Sequence, residues 1–231
     1  MSMKKIFSKH IVEIRYKPNS RFLDKRGETA ELLAGSFFDQ WNISNNRIDF
    51  SSKTNENIVA FISFRNLGLF TNYPNTADFF TEKAKNFIKS AWTNFPTSKI
   101  TRIGVRSTYL IETESFKNSF DEYRKKFLGL SDENLKKFDG DLIDLGFPLN
   151  FAIGEDFFNV TTGPMEKSQS KEFLLDDDEL PAAGIFVDVD YFKKEFSPHI
   201  TQKNVLDFVD KGIDKAGNIK DLIAGWTAKS E

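Results

Sequence analysis

Apolar residues recur along this chain with two different periods. Ile11–Lys17 (IVEIRYK) alternates Ile and Val with charge and halts at Pro18. That is the pattern of a first strand, because successive side chains of an extended chain point to opposite faces. Asn19 or Ser20 then supplies a cap for a helix carrying Phe22, Leu23, Ala30, Leu33 and Phe37 on or near one face. Trp41–Phe50 and Asn57–Phe70 read as the next two strands, with a polar turn between them. The second is the most apolar stretch of the chain and is expected to be a central strand. From Thr76 onward, Phe80, Ala84, Phe87, Ile88, Ala91, Trp92 and Phe95 mark one helical stripe, which Pro96 ends. Ile100–Glu112 (ITRIGVRSTYLIE) alternates again. The first 112 residues therefore predict strand–helix–strand–strand–helix–strand, the βαββαβ order of a ferredoxin-like unit.

Beyond Glu112, Phe116, Phe120, Tyr123 and Phe127 predict an amphipathic helix over Ser115–Leu128, and Ser131–Leu145 reads as a short second one. Leu149–Thr162 and Gly184–Phe192 (GIFVDVDYF) look like two strands paired as an antiparallel hairpin. The stretch 163–182 joins them and holds the acidic run Asp176–Glu179; a connection of that length is normally mobile or functional. Thr201 caps a long final helix running through Val205, Val209, Ile213, Ala216, Ile223 and Trp226. Its apolar residues occupy more than one side, so it docks on this chain's sheet or on a second subunit. No internal repeat and no linker are visible. The expectation is one compact α+β domain over 1–231, an antiparallel or mixed sheet covered by helices, with 1–112 and 113–231 as the alternative subdivision.

Composition narrows the function classes. Thirty-two basic and 34 acidic residues give a net charge of −2, so there is no global footprint for a phosphate backbone, and nucleic acid would need a local patch. The absence of Cys excludes disulfides, thiolate metal sites and cysteine nucleophiles. The basic N-terminus MSMKKIFSKH lacks the apolar run of a signal peptide, and no stretch approaches membrane-spanning length. A cytoplasmic protein with no membrane partner is expected. The 25 Phe point first to a Phe-packed core; the alternative is an aromatic surface for bases or a partner. His10 and His199 are the only histidines, neither at metal-ligand spacing, and no GxSxG elbow occurs.

The candidate chemistry sits in the alternating strands. Arg102 and Arg106 share one face of theirs, and Asp188 and Asp190 share one face of another. Two carboxylates at this spacing hold Mg²⁺ or Mn²⁺ in some nucleotide-handling enzymes, with Glu155 or Asp156 available as a third. No glycine-rich phosphate loop accompanies them. The other reading is that the aspartates face water or pair with Arg102 and Arg106 across the sheet. Arg15, Arg65, Arg102 and Arg106 all fall in predicted strands, and together they form a candidate groove for phosphate or carboxylate.

Three of these segments, Val12-Glu13-Ile14-Arg15-Tyr16, Arg102-Ile103-Gly104-Val105-Arg106 and Phe186-Val187-Asp188-Val189-Asp190, together resemble a sporadically distributed bacterial protein family of unknown function and about this length. The family places an aromatic and then an asparagine soon after the second arginine, where this chain has Ser107, Thr108 and Tyr109. The resemblance implies no activity. It suggests an accessory gene of mobile-element or antiviral defence neighbourhoods. The expectation is a non-enzymatic binding or accessory protein acting through a protein partner or by self-association. The alternative is a metal-dependent nucleotide-handling enzyme using Asp188 and Asp190.

Overall fold

A computed structural model describes residues 5–55, 57–73, 75–92, 100–174, 179–194, 196 and 200–227. They form nine strands and seven helices. The first half runs β1 (Ile6–Tyr16), α1 (Arg21–Asp24), α2 (Arg26–Phe37), β2 (Gln40–Ile43), β3 (Arg47–Ser51), β4 (Ile58–Ser63), β5 (Asn66–Asn72) and α3 (Ala77–Trp92). The second half runs β6 (Ile100–Glu112), α4 (Phe116–Phe127), α5 (Asp132–Lys136), β7 (Phe147–Ile153), β8 (Asp156–Glu166), α6 (Lys167–Phe173), β9 (Ala183–Lys193) and α7 (Gln202–Thr227). All the strands join one antiparallel sheet in the order β2-β3-β4-β5-β1-β6-β9-β8-β7. The fold is α+β. Each half opens with a strand and two helices, lays down further strands and closes with a helix, α6 interrupting the second set between β8 and β9. The repeat lies in topology, and the two halves meet where β1 pairs with β6.

Three expected strands are each a hairpin. Trp41–Phe50 breaks at Asn45-Asn46, where the Ser44 amide and hydroxyl both donate to the Arg47 carbonyl at 2.8 and 3.0 Å. Asn57–Phe70 breaks at Phe64-Arg65, where the Ser63 hydroxyl accepts from the Arg65 and Asn66 amides at 3.1 and 3.0 Å. Four strands thus stand between the first helices and α3 where two were expected, and β1 with β6 holds the middle of the sheet. Leu149–Thr162 folds back at Gly154, whose φ of +61° is left-handed backbone that favours glycine. Its second arm, β8, then pairs with β9 as expected of that segment. The helix expected over Ser131–Leu145 is limited to α5. Phe95, Pro96, Asp176–178 and His199 lie outside the described residues.

The helices α2, α3, α4 and α7 cover one face of the sheet. Every second strand residue points into that layer: Val12, Ile14, Ile103, Val105, Val187 and Val189 are buried there. Phenylalanine fills the space above them. Phe38, Phe50 and Phe87 are each at most 2% exposed, and their ring centroids lie 5.6 to 6.5 Å apart. On the opposite face, among the described residues, only one end is covered. There α6 and the chain after it close a small second cluster of Phe7, Leu110, Leu174 and Leu180. Among the described residues no helix is long and apolar enough to cross a membrane.

His10 is a buried imidazole, with its Nδ1 2.9 Å from the Ser107 hydroxyl and its ring beside Phe80 and Tyr109. Burial, with a smaller contribution from the Lys220 charge, pushes its pKa from 6.5 down to about 4. The unfolded chain therefore takes up this proton before the folded one does. Stability is lost as pH falls from 6.5 through about 4, by roughly 3 kcal/mol, and His10 adds no slope above about pH 7.5. Urea unfolding at about pH 4.5 and about pH 7.5 should show a smaller pH difference for His10→Phe than for the wild type.

Candidate functional site

Away from the helices, a cross-strand row runs through Phe61, Gly68, Glu13, Gly104, Phe192 and Phe157, each opposite the next. Residues two positions along each strand share this face, which places Arg15, Arg102, Arg106, Asp188 and Asp190 together on three neighbouring strands. Of the four expected arginines the sheet brings all but Arg65 into one field with the two aspartates. That arginine sits in the β4–β5 turn with its guanidinium 4.5 Å from the centre of the Phe64 ring, because the hairpin ends the strand before it.

The arginines meet the aspartates. Arg102 donates from Nη2 to both Asp190 oxygens at 2.9 Å, while Nη1 stands 3.6 Å from Glu13. Arg106 donates from Nε to the two Asp188 oxygens at 2.8 and 3.1 Å, and the Thr108 hydroxyl donates to the same carboxylate at 2.7 Å. Both contacts are made along the strands as well as across them: Asp190 stands opposite Arg106, and Asp188 opposite Thr108. The ladder continues on β1, where Glu13 accepts from Arg15 Nε and from Asn66 Nδ2, both at 2.8 Å. Burial pushes the Glu13 carboxyl up, and the hydrogen bonds from Arg15 and Asn66 with the nearby guanidiniums bring it net below its ordinary value. The hydrogen bond to Asp188 raises Arg106 further, against the opposing effect of burial. Asp188 is 7% exposed, so its charge requires these partners.

One glycine makes the ladder continuous. A Cβ on Gly104 would stand 2.5 Å from Arg102 Nη1 and 2.8 Å from its Cζ. With only hydrogen there, the guanidinium lies flat across β6, reaching Glu13 on one side and Asp190 on the other, with its Cζ 4.9 Å from the centre of the Phe192 ring. Gly68 plays the same part for the Phe61 ring, which a Cβ would meet at 2.8 Å. The sequence carried a signal for both partners of Arg102. Glu13 alternates in phase with Arg15, and Gly104 lies midway between two outward arginines.

The carboxylates considered for a metal do not converge. Asp156 faces the helix layer, where it accepts from the Tyr191 hydroxyl and the Lys211 ammonium, and Glu155 pairs with Lys193. Asp188 and Asp190 project from the opposite side of the sheet. Among the described residues no group of three His, Asp or Glu side chains could hold a metal ion. The chain matches no protein-family model and no curated protein.

Gly104→Ala is expected to cost about 1–3 kcal/mol in denaturant unfolding, by driving Arg102 off its two carboxylates. On an Arg102→Met background the same change should cost at least about 1 kcal/mol less. Equal costs on both backgrounds would show that the guanidinium is not what Gly104 accommodates.

Proposed function

We propose that this protein is a non-enzymatic binding or accessory protein that acts through a partner macromolecule, which it meets with the open face of its sheet. The observation carrying this reading is the face itself: a broad surface with no helix over most of it among the described residues, on which charges are already paired with one another beside aromatic rings. A paired ladder is pre-organised and costs little further ordering on association. Catalysis would instead call for an unsatisfied group poised to react, whereas both Asp188 oxygens already accept hydrogen bonds. Balanced charge on the face favours a protein surface over a phosphate backbone. Membership of the sporadically distributed bacterial family is part of the proposal. In its support, the three resembling segments fall side by side on β1, β6 and β9. The bacterial defence or mobile-element context and the cytoplasmic setting rest on that resemblance and on the lack of cysteine. The ferredoxin-like reading of the first half belongs here too; the β2–β3 and β4–β5 hairpins take the places of its second and third strands.

The test compares partners retained by the tagged wild type and by a Phe157→Glu/Asn159→Arg variant, both positions being exposed on the open face. A macromolecule held by the first and lost from the second, with the melting temperature unchanged, is the expected result. A rise in melting temperature with Mg²⁺ or Mn²⁺ and nucleotide that disappears in Asp188→Asn would overturn the reading in favour of the enzyme.

A further inference from the structure

Arg106 differs from its neighbours in how much of it is in use. Arg102 spends both terminal nitrogens on carboxylates, and Arg15 pairs with Glu13 through Nε and Nη2. Arg106 meets Asp188 through Nε, and among the described residues its Nη1 and Nη2 make no hydrogen bond. Its side chain is 48% exposed. The two free amino groups form the outer edge of the guanidinium fork, the edge that takes a carboxylate in bidentate fashion.

Beside Arg106 the open face sinks into a recess of about 240 Å³. Met165, Pro164, Phe173, Phe186 and Leu145 supply its apolar wall, with Thr161 at the side nearest the exposed sheet. Lys9 of β1 lies outside the lining and donates to the carbonyl of one lining residue, Phe173, at 3.5 Å. Burial lowers the Lys9 pKa first, and the Arg106 charge lowers it further, ahead of the opposing pull of Asp188. Asp144 stands on the recess wall, with one oxygen on the Leu145 amide. With Asp144 and Asp188 both present, a doubly charged phosphate is a poor match, and a single carboxylate is the anion that the one free guanidinium edge can take. Size also decides: small-molecule sites usually exceed about 300 Å³, so this recess suits one apolar side chain rather than a cofactor. It opens along β8, where Asn159 and Phe157 continue the exposed lane that a longer chain could follow.

We infer that the recess beside Arg106 receives the C-terminal residue of a partner polypeptide, its carboxylate on Arg106 and Lys9 and its apolar side chain under α6. This rests on the reading of the open face as a partner surface and names the part of the partner that it grips. The probe is a set of fluorescein-labelled octapeptides ending in Leu, Phe, Met, Val, Asp or Lys, each made as the free acid and as the amide, titrated by fluorescence polarisation. Free acids ending in an apolar residue should bind, and amidation or Arg106→Gln should weaken them at least about tenfold. Thr161→Trp, which fills the recess and leaves the ion pairs in place, should abolish binding, with the melting temperature of each variant recorded as the folding control. Equal affinity for acid and amide, or indifference to both substitutions, overturns the inference. So does the absence of binding by every peptide at about 1 mM, or binding of octanoate and phenylacetate with no peptide bound. In each of those cases a partner still lost from the Phe157→Glu/Asn159→Arg variant would leave the open-face reading standing and remove the terminal carboxylate alone.

Discussion

The pairing of β1 with β6 is the contact on which the rest of this molecule depends. It runs from Ile6 opposite Ile111 to Tyr16 opposite Ile100, and it joins the two halves into one sheet. Neither half brings a complete site of its own. Glu13 comes from the first, Arg102 and Asp190 from the second, and the pairing alone sets them side by side. The same ladder fixes the inner face, where Val12 meets Val105 and Ile14 meets Ile103 beneath the helices. A one-residue slip would turn charge inward and valine outward, so burial of the apolar set pins the register of the polar one.

That coupling explains why the outer face is so ordered. Alternation obliges every second residue of β1, β6 and β9 to point away from the helix layer, and those residues include Arg102 and Arg106 on β6 and Asp188 and Asp190 on β9. The second cluster around Phe7 and Leu110 half-covers this face at one end, which withdraws water from the nearby charges. Asp188, lying toward that end, is the more buried aspartate and has gathered both a guanidinium and a hydroxyl. Asp190, farther out, is held by one arginine. The gradient in partners follows the gradient in solvent, as the cost of burying a charge requires.

Much of this could be read from the chain before any coordinates. The alternation in Ile11–Lys17, Ile100–Glu112 and Gly184–Phe192 marked the three central strands, and the 3.6-residue stripes marked α3, α4 and α7. The two arginines and two aspartates were legible as rows on one face of their strands, and strand order sets them side by side as pairs. Three things were not legible. Hairpins at Asn45-Asn46, Phe64-Arg65 and Gly154 interrupt alternation for only two or three residues, too short a break for periodicity to register. Phe64-Arg65 is the hardest case, because an aromatic and a charged residue continue the strand pattern while Ser63 turns the backbone beneath them. The connection over 163–182 concealed α6 and the small apolar cluster, since Leu174 and Leu180 are too far apart in sequence to show that they meet. The recess beside Arg106 depends on that connection, so no pattern within β6 could have announced it.

The segment Val187-Asp188-Val189-Asp190-Tyr191-Phe192 shows how one strand serves two purposes without compromise. Its odd-numbered side chains face the helices, where Tyr191 donates to Asp156, which Lys211 of α7 also holds, and so ties the last helix to β8 and β9. Its even-numbered side chains face outward into the arginine ladder. The apolar core and the charged ladder thereby lie on opposite sides of a single backbone, so a side chain on one side does not touch those on the other. This is the physical ground for expecting surface variants such as Phe157→Glu to fold normally. Gly104→Ala belongs to the other kind, because the glycine lies under a guanidinium that the fold itself uses to neutralise Glu13 and Asp190. Arg106 stands between the two kinds. Its Nε helps the fold by holding Asp188, while its Nη1 and Nη2 make no hydrogen bond among the described residues.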